Sequence, residues 1–207
     1  METIEYKNYN IKICSDDMPE SPNDCGDDEV FLVGWNMKSF RVERDGFTRE
    51  IFGAYSNFPG YEYKKPEAIK ISEKYYIFGI DAYIHGGISL SLHGKGLLCK
   101  WDTSSYVGAV FILKRSFEDE KWAKERAKNL IKTWNAYLNG EVYGFIIDNP
   151  NGDNLDSCFG YFGDYSSSGL IEDAKASIDA DIKHRLKQKL NKLKVYIKHD
   201  VPLEKRI

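Results

Sequence analysis

Apolar and polar residues alternate with a period of two along several short stretches of this chain, and with a period near 3.6 along two long ones. The first pattern belongs to half-buried strands and the second to amphipathic helices. Residues 3–14 alternate around Lys7-Asn8, with Ile4, Tyr6, Ile11 and Ile13 inward, which predicts two short strands or one bent strand. Glu29-Val-Phe-Leu-Val-Gly-Trp35 reads as a buried strand. Tyr75–Ile84, a turn at His85-Gly86-Gly87 and the alternating return Ile88–Leu92 form one hairpin. Tyr106–Leu113 is a further strand, preceded by a loop holding Trp101-Asp102-Thr103-Ser104-Ser105. The clearest hairpin runs Glu141–Asp148, turns through Asn149-Pro150-Asn151-Gly152-Asp153-Asn154, and returns along Leu155–Phe162.

Two helices flank that hairpin in sequence. Ser116 is placed to cap the first, with Glu118, Asp119 and Glu120 where acids favour the macrodipole. Its buried stripe is Trp122, Ala123, Ala127, Leu130, Ile131, Trp134 and Leu138, and Asn139-Gly140 stops it. Ser168 or Ser167 opens the second, whose apolar face recurs through Ile171, Ala174, Ile178, Ile182, Leu186, Leu190, Leu193 and Ile197. At about 40 Å it outruns a sheet, so its basic end is expected to project, and Pro202 ends it. A short helix is expected over Pro66–Lys74, turns at Asp45-Gly46 and Asn57-Phe-Pro-Gly60. The fold class that follows is α+β: an antiparallel sheet of hairpins packed against two main helices, the C-terminal one long and amphipathic. The central hairpin is expected to be clamped between those helices. Residues 1–182 are taken as one domain and 183–207 as its basic helical extension.

Composition narrows the class. The 207 residues are 42% hydrophobic and 29% charged, as in globular proteins, and 14 Tyr, 11 Phe and 4 Trp supply an aromatic core. No apolar run approaches the length that spans a bilayer, and the first residues lack the basic and apolar regions of a secretion signal, so the expected location is the cytoplasm. Cys14, Cys25, Cys99 and Cys158 have no paired spacing, which favours free thiols, with Cys158 expected as a buried strand residue. The net charge of −3 conceals a polarity: residues 15–29 carry acids and no base, and 183–206 are dominated by Lys and Arg.

Each candidate for chemistry has a plain structural reading beside it. Asp16, Asp17, Glu20, Asp24, Asp27, Asp28 and Glu29 offer hard oxygens, but not in the calcium-loop pattern, so no metal site is assigned. They read as a solvated loop or as a negative patch that meets a basic groove. His85 lies at a turn after Asp81, and Asp102 and Asp156 are further carboxylates that could orient it as a general base. A turn histidine is the simpler reading. His93 lies in a Gly-flanked loop and says less, and His93-Gly-Lys-Gly96 lacks phosphate-loop spacing. Asp156 and Cys158 share one face of their strand, Ser157 the other. Lys183, Arg185, Lys187, Lys189, Lys192, Lys194 and Lys198 flank the apolar stripe of the last helix, as on a solvated helix or on one that meets phosphates or an acidic partner.

One ordered series stands out: Asp16-Asp-Met-Pro-Glu-Ser-Pro22, Tyr83-Ile-His-Gly-Gly-Ile-Ser-Leu90, Trp101-Asp102, Gly108 in a strand, Tyr137-Leu-Asn-Gly-Glu-Val-Tyr-Gly-Phe145, Asp156-Ser-Cys-Phe-Gly-Tyr-Phe-Gly163 and a helix opening Ile171-Glu-Asp-Ala-Lys. It resembles a family of small proteins of unassigned biochemistry carried by phages, plasmids and other mobile elements of bacteria and archaea. The resemblance spans most of residues 4–180 and departs at Phe159, where relatives tend to have Trp. It brings no catalytic residues and no cofactor. It implies accessory cargo of the kind that blocks host defence, and so a binding protein more than an enzyme. The expected partner is a host nucleoprotein such as a CRISPR effector or a restriction enzyme, met through Asp16, Asp17, Glu20, Asp27 and Asp28 or through Lys187, Lys189, Lys192, Lys194 and Lys198. Two alternatives stand: a small hydrolase or nuclease on His85, Asp102 and Asp156, and an RNA- or DNA-binding protein using the basic helix.

Overall fold

The protein is seen in a computed structural model that describes residues 2–26, 28–37, 40–48, 51, 66–84, 86–94, 103–116, 119–198, 202 and 204. His85, Asp102, Asp27, Cys99 and the turn at 57–60 lie outside them. The architecture is α+β, with two antiparallel sheets where one was expected. The chain gathers into two compact units, one of residues 1–17 with 143–207 and the other of 18–142.

The first unit begins with β1 (Glu2–Tyr6) and β2 (Tyr9–Ser15). Lys7 and Asn8 both take positive φ, 53° and 69°, the tight hairpin turn that matches the twist of two strands. The two-strand reading of residues 3–14 is therefore the right one. The sheet is completed by the hairpin Val142–Asp148 and Asn154–Phe162; these are β8 and β9, and the order is β1-β2-β8-β9. Asn149 builds the hairpin turn, its Oδ1 accepting from the amides of Asn151 (2.8 Å) and Asp153 (3.0 Å).

The last helix, Leu170–Lys198, lays Leu170, Ala174 and Ile178 on Tyr9, Ile11, Ile13, Phe145 and Ile147, all buried. Each large side chain so covered contributes about 1.5–3 kcal/mol. Polar bonds fix the helix in place: Tyr9 Oη donates to Asp181 (2.7 Å), Lys7 pairs with Asp179 (2.7 Å), and Tyr161 donates to Asp173 (2.9 Å). β9 itself is largely exposed. Cys158, expected inside, is on the surface, in β9 at the edge of the sheet.

The second unit holds β3 (Val30–Met37), β4 (Phe40–Val42), α1 (Pro66–Lys74), β5 (Tyr75–Ile84), β6 (Ile88–Leu92), β7 (Thr103–Leu113) and α2 (Glu120–Leu138). The helix Leu170–Lys198 is α3. The strand order is β4-β3-β7-β5-β6. Both faces are covered. Leu32, Ile80, Val110 and Ile112 pack against Ala123, Ala127, Ile131 and Trp134 of α2. Phe31, Val33, Ala109 and Phe111 pack with Ala68 and Ile71 of α1 and with Phe47. Two buried faces explain why Val30–Val33 and Val110–Leu113 read as continuous apolar runs.

The clamp of two helices on the central hairpin is thus corrected. α2 belongs to the five-stranded sheet, and the hairpin takes its cover from α3. The cap of α2 also shifts. Asp119, extended at φ −123° and ψ 129°, accepts from the Lys121 amide (2.9 Å), while Ser116 sits in a 3-10 turn over Lys114–Ser116. Starting there, the helix turns Trp122 outward, 71% exposed, instead of into the stripe.

Two asparagines finish the sheet edges. Asn135 of α2 accepts from the Leu90 amide (2.7 Å) and donates to the Leu90 carbonyl (3.0 Å). Asn23 does the same for Leu32, at 3.0 and 2.7 Å. A side-chain amide carries one donor and one acceptor in the geometry of a peptide, so each stands in for a missing strand.

Candidate functional site

At one end of the five-stranded sheet, β5, β6 and β7 bring together three groups distant in sequence. β5 and β6 pair Asp81 with Ser91, which puts the residue after β6, His93, diagonally across from Asp81 on the same face. The His93 amide closes the ladder on the Gly79 carbonyl at 2.8 Å. Between β5 and β7 the register shifts at Ile80/Ala82. That bulge leaves Asp81 outside the ladder, and the Tyr106 amide donates to its Oδ1 at 3.0 Å instead.

Asp81 is the buried charged residue of the described core, 5% exposed. Both carboxylate oxygens lie 3.0 Å from His93 Nδ1. A carboxylate only accepts, so Nδ1 carries the hydrogen, and in the neutral imidazole Nε2 is left as the acceptor. The Tyr106 hydroxyl is 2.5 Å from that Nε2, and the two rings stack with centroids 3.9 Å apart. Tyr106 holds φ at 53°, the left-handed region, which is a true outlier for a bulky residue. Burial, and then the Asp81 charge, push its phenol above the ordinary tyrosine range, so at rest it keeps its proton.

None of this trio is among the residues first singled out for catalysis. His85 and Asp102 lie outside the described residues. Asp156 is exposed in β9 of the other unit, accepting from its neighbour's amide, Ser157 (2.9 Å), and from the Ser177 hydroxyl of α3. It fastens strand to helix. A signal for the trio was present: a lone Asp within the apolar run of Phe78–Ile84 needs a buried partner.

The second feature is the far half of α3. From Lys183 on, every residue whose side chain is described is exposed. Leu186 is 61% exposed, Leu190 52%, Leu193 43% and Ile197 59%. Their spacing of four, three and four places them in one ridge. Along it, residues 183–198 hold seven Lys and Arg side chains and no acid. Arg185 pairs with Asp181 (2.7 Å). Lys183, Lys187, Lys189, Lys192 and Lys194 make no ion pair among the described residues, and the side chain of Lys198 lies outside the description.

The acidic segment is less uniform than its composition suggests. Asp17, Glu20, Asp24 and Asp28 are exposed and Asp16 is half-buried. Asp28 meets Arg44 at 3.1 Å, and Glu29 lies 3.6 Å from Arg115. No group of three or more His, Cys, Asp or Glu among the described residues is arranged to hold a metal ion. Among the same residues no helix is long and apolar enough to cross a membrane.

Compared with known proteins, the chain matches no family model, no curated sequence and no solved structure.

Proposed function

We propose that the protein acts by binding, through the projecting half of α3, and that its target is a host defence nucleoprotein that it inhibits. The observation that carries this reading is the exposed leucine ridge lined by lysines that make no ion pair among the described residues. A second copy of the helix is a poor occupant, because Lys187, Lys189 and Lys194 flank the ridge and would face like charges. A nucleoprotein complex offers what the helix lacks: phosphates or acidic side chains for the lysines, and an apolar protein groove for Leu186, Leu190 and Leu193. The choice of a defence complex, a CRISPR effector or a restriction enzyme, rests on the resemblance to mobile-element accessory proteins.

The test is inhibition of cleavage by purified host nucleases. Wild type is expected to suppress cutting. Lys187→Glu, Lys189→Glu, Lys192→Glu and Lys194→Glu together are expected to weaken it tenfold or more with an unchanged circular dichroism spectrum. Equal potency of wild type and variant, or no inhibition of any host defence nuclease, rejects the reading. The same lysines also favour a second reading, direct binding of nucleic acid. That reading requires tight binding to naked RNA or DNA, with log affinity falling linearly in log salt.

A further inference from the structure

The ridge on α3 has a finer pattern than an apolar face with basic flanks. Leu186, Leu190, Leu193 and Ile197 are all exposed and follow one another in steps of four, three and four. Those are the steps of the two seam positions of a heptad, which insert into a facing helix in a coiled coil. Lys187 follows Leu186, Lys189 precedes Leu190 and Lys194 follows Leu193. They occupy the positions beside the seam, whose charges select one partner helix and reject others. All three are exposed and make no ion pair among the described residues. We infer that this surface docks an acidic amphipathic helix of the target protein, with Glu or Asp on both flanks of its own apolar seam, as a two-helix coiled coil. The inference rests on the reading of α3 as the binding surface and names what that surface holds: a helix of the target and not the target's nucleic acid.

The α3 side of such a pair is already built. Leu170, Ala174 and Ile178 anchor its first half on the sheet, and Tyr9 and Lys7 tie Asp181 and Asp179. Residues 183–198 contain neither Gly nor Pro and are mostly Leu, Lys, Arg and Gln, which are strong helix formers. Docking therefore orders one helix instead of two, which lowers the entropic cost of association.

Other occupants fit the ridge less well. Nucleic acid would neutralise the lysines and leave four large apolar side chains in water. A lipid surface takes up a broad apolar face. Here lysines stand directly against the ridge on both sides, which leaves the narrow seam of a coiled coil. A second copy of α3 would set lysine against lysine.

The probe is a synthetic heptad-repeat peptide with Ile and Leu in its seam and Glu on both flanks, titrated into the full chain. A peptide with Lys on both flanks, and a scrambled form of the Glu peptide, are titrated in parallel. The Glu heptad peptide is expected to bind tenfold or more tightly than either. It is also expected to gain helical circular dichroism on mixing, since its own like charges oppose self-pairing. Leu190→Ser with Leu193→Ser is expected to weaken that binding tenfold or more. Lys187→Glu, Lys189→Glu and Lys194→Glu together are expected to reverse the preference, so that the Lys peptide binds and the Glu peptide does not. Loss of fold cannot produce that gain. The inference is overturned by equal binding of the scrambled and heptad Glu peptides, by no binding of the heptad Glu peptide, or by a triple variant that does not take the Lys peptide. Tighter binding to a single-stranded oligonucleotide or to phosphatidylglycerol vesicles, or self-association of the chain through the ridge in sedimentation, also overturns it. No nuclease enters these titrations. Nuclease inhibition without peptide binding sinks this inference and leaves the binding reading standing, whereas peptide binding with no nuclease inhibited supports the helix and rejects the defence target.

Discussion

Gly108 has no room for a side chain. A Cβ there would lie 2.0 Å from the Val33 carbonyl oxygen and 2.9 Å from the Gly34 Cα, both backbone and unable to swing away. At Gly144 a Cβ would lie 2.2 Å from the Phe159 ring and 2.7 Å from the Cys158 carbonyl oxygen, again backbone. Gly108→Ala and Gly144→Ala are each expected to cost about 3 kcal/mol, the upper end of the overpacking range, read from urea midpoints. A second test at this scale concerns Tyr9 and Asp181. Burial would raise the Asp181 pKa, but the Tyr9 hydrogen bond and Arg185 outweigh it and hold it below the usual range. Its contribution is present above about pH 3.9, the ordinary Asp value, and is lost as pH falls through the lower folded value. Burial, and then Asp181, raise Tyr9. That contribution is present below about pH 10 and is lost as pH rises through the higher folded value. Tyr9→Phe should therefore flatten stability against pH at both ends, and acid limbs that run parallel in variant and wild type would contradict the assignment. Single residues of this sort were only partly legible. Asp81 is a charge in an apolar strand, a legible signal, but the sequence sets it only beside His85, the nearer histidine. Finding His93 required the β5–β6 register, and finding Tyr106 required the bulge.

Helix α3 changes character at Ile182. Before it, the apolar face is covered by β2 and β8; after it, the same face continues uncovered. Burial and not helix propensity should thus decide what a substitution costs. Ile178→Ala is expected to lose about 3 kcal/mol, as for a fully buried Ile. Leu190→Ser is expected to stay within about 0.5 kcal/mol, as at an ordinary surface position, while impairing inhibition. Thermal and urea unfolding of the two variants check the contrast, and comparable losses would mean that the ridge is covered. Elements were the most legible scale. Strand and helix periods and the turn residues at Lys7-Asn8, Gly86-Gly87, Asn139-Gly140 and Asn149–Asn154 are local signals, and all mark real boundaries. The cap of α2 was misplaced because Ser116 and Asp119 are both good caps, and only the 3-10 turn at Lys114–Ser116 separates them.

Across the whole molecule, the sequence does not say which elements share a sheet. β2 pairs with β8 and β3 with β7 through contacts between distant parts of the chain. Two alternating hairpins look alike whether they join one sheet or two, so the second sheet and the true companion of α2 emerged only from the structure. The α+β class and the outrunning basic helix were legible, because composition and periodicity carry them. The asparagine amides that finish the sheets bear on behaviour at high concentration. β6 is the outer strand of its sheet, and Leu90 would otherwise offer a free donor and acceptor to the same strand of another molecule. A backbone edge left open in this way is a template for growth. Asn135→Leu keeps the bulk of the side chain and removes the peptide mimic. It is expected to turn a stable solution into one that forms thioflavin-positive aggregate on storage, and a variant that stays clear would show that the edge is guarded by something else. Asn135 is then a guard on colloidal life: it prevents a protein made in quantity from polymerising through its own outer strand.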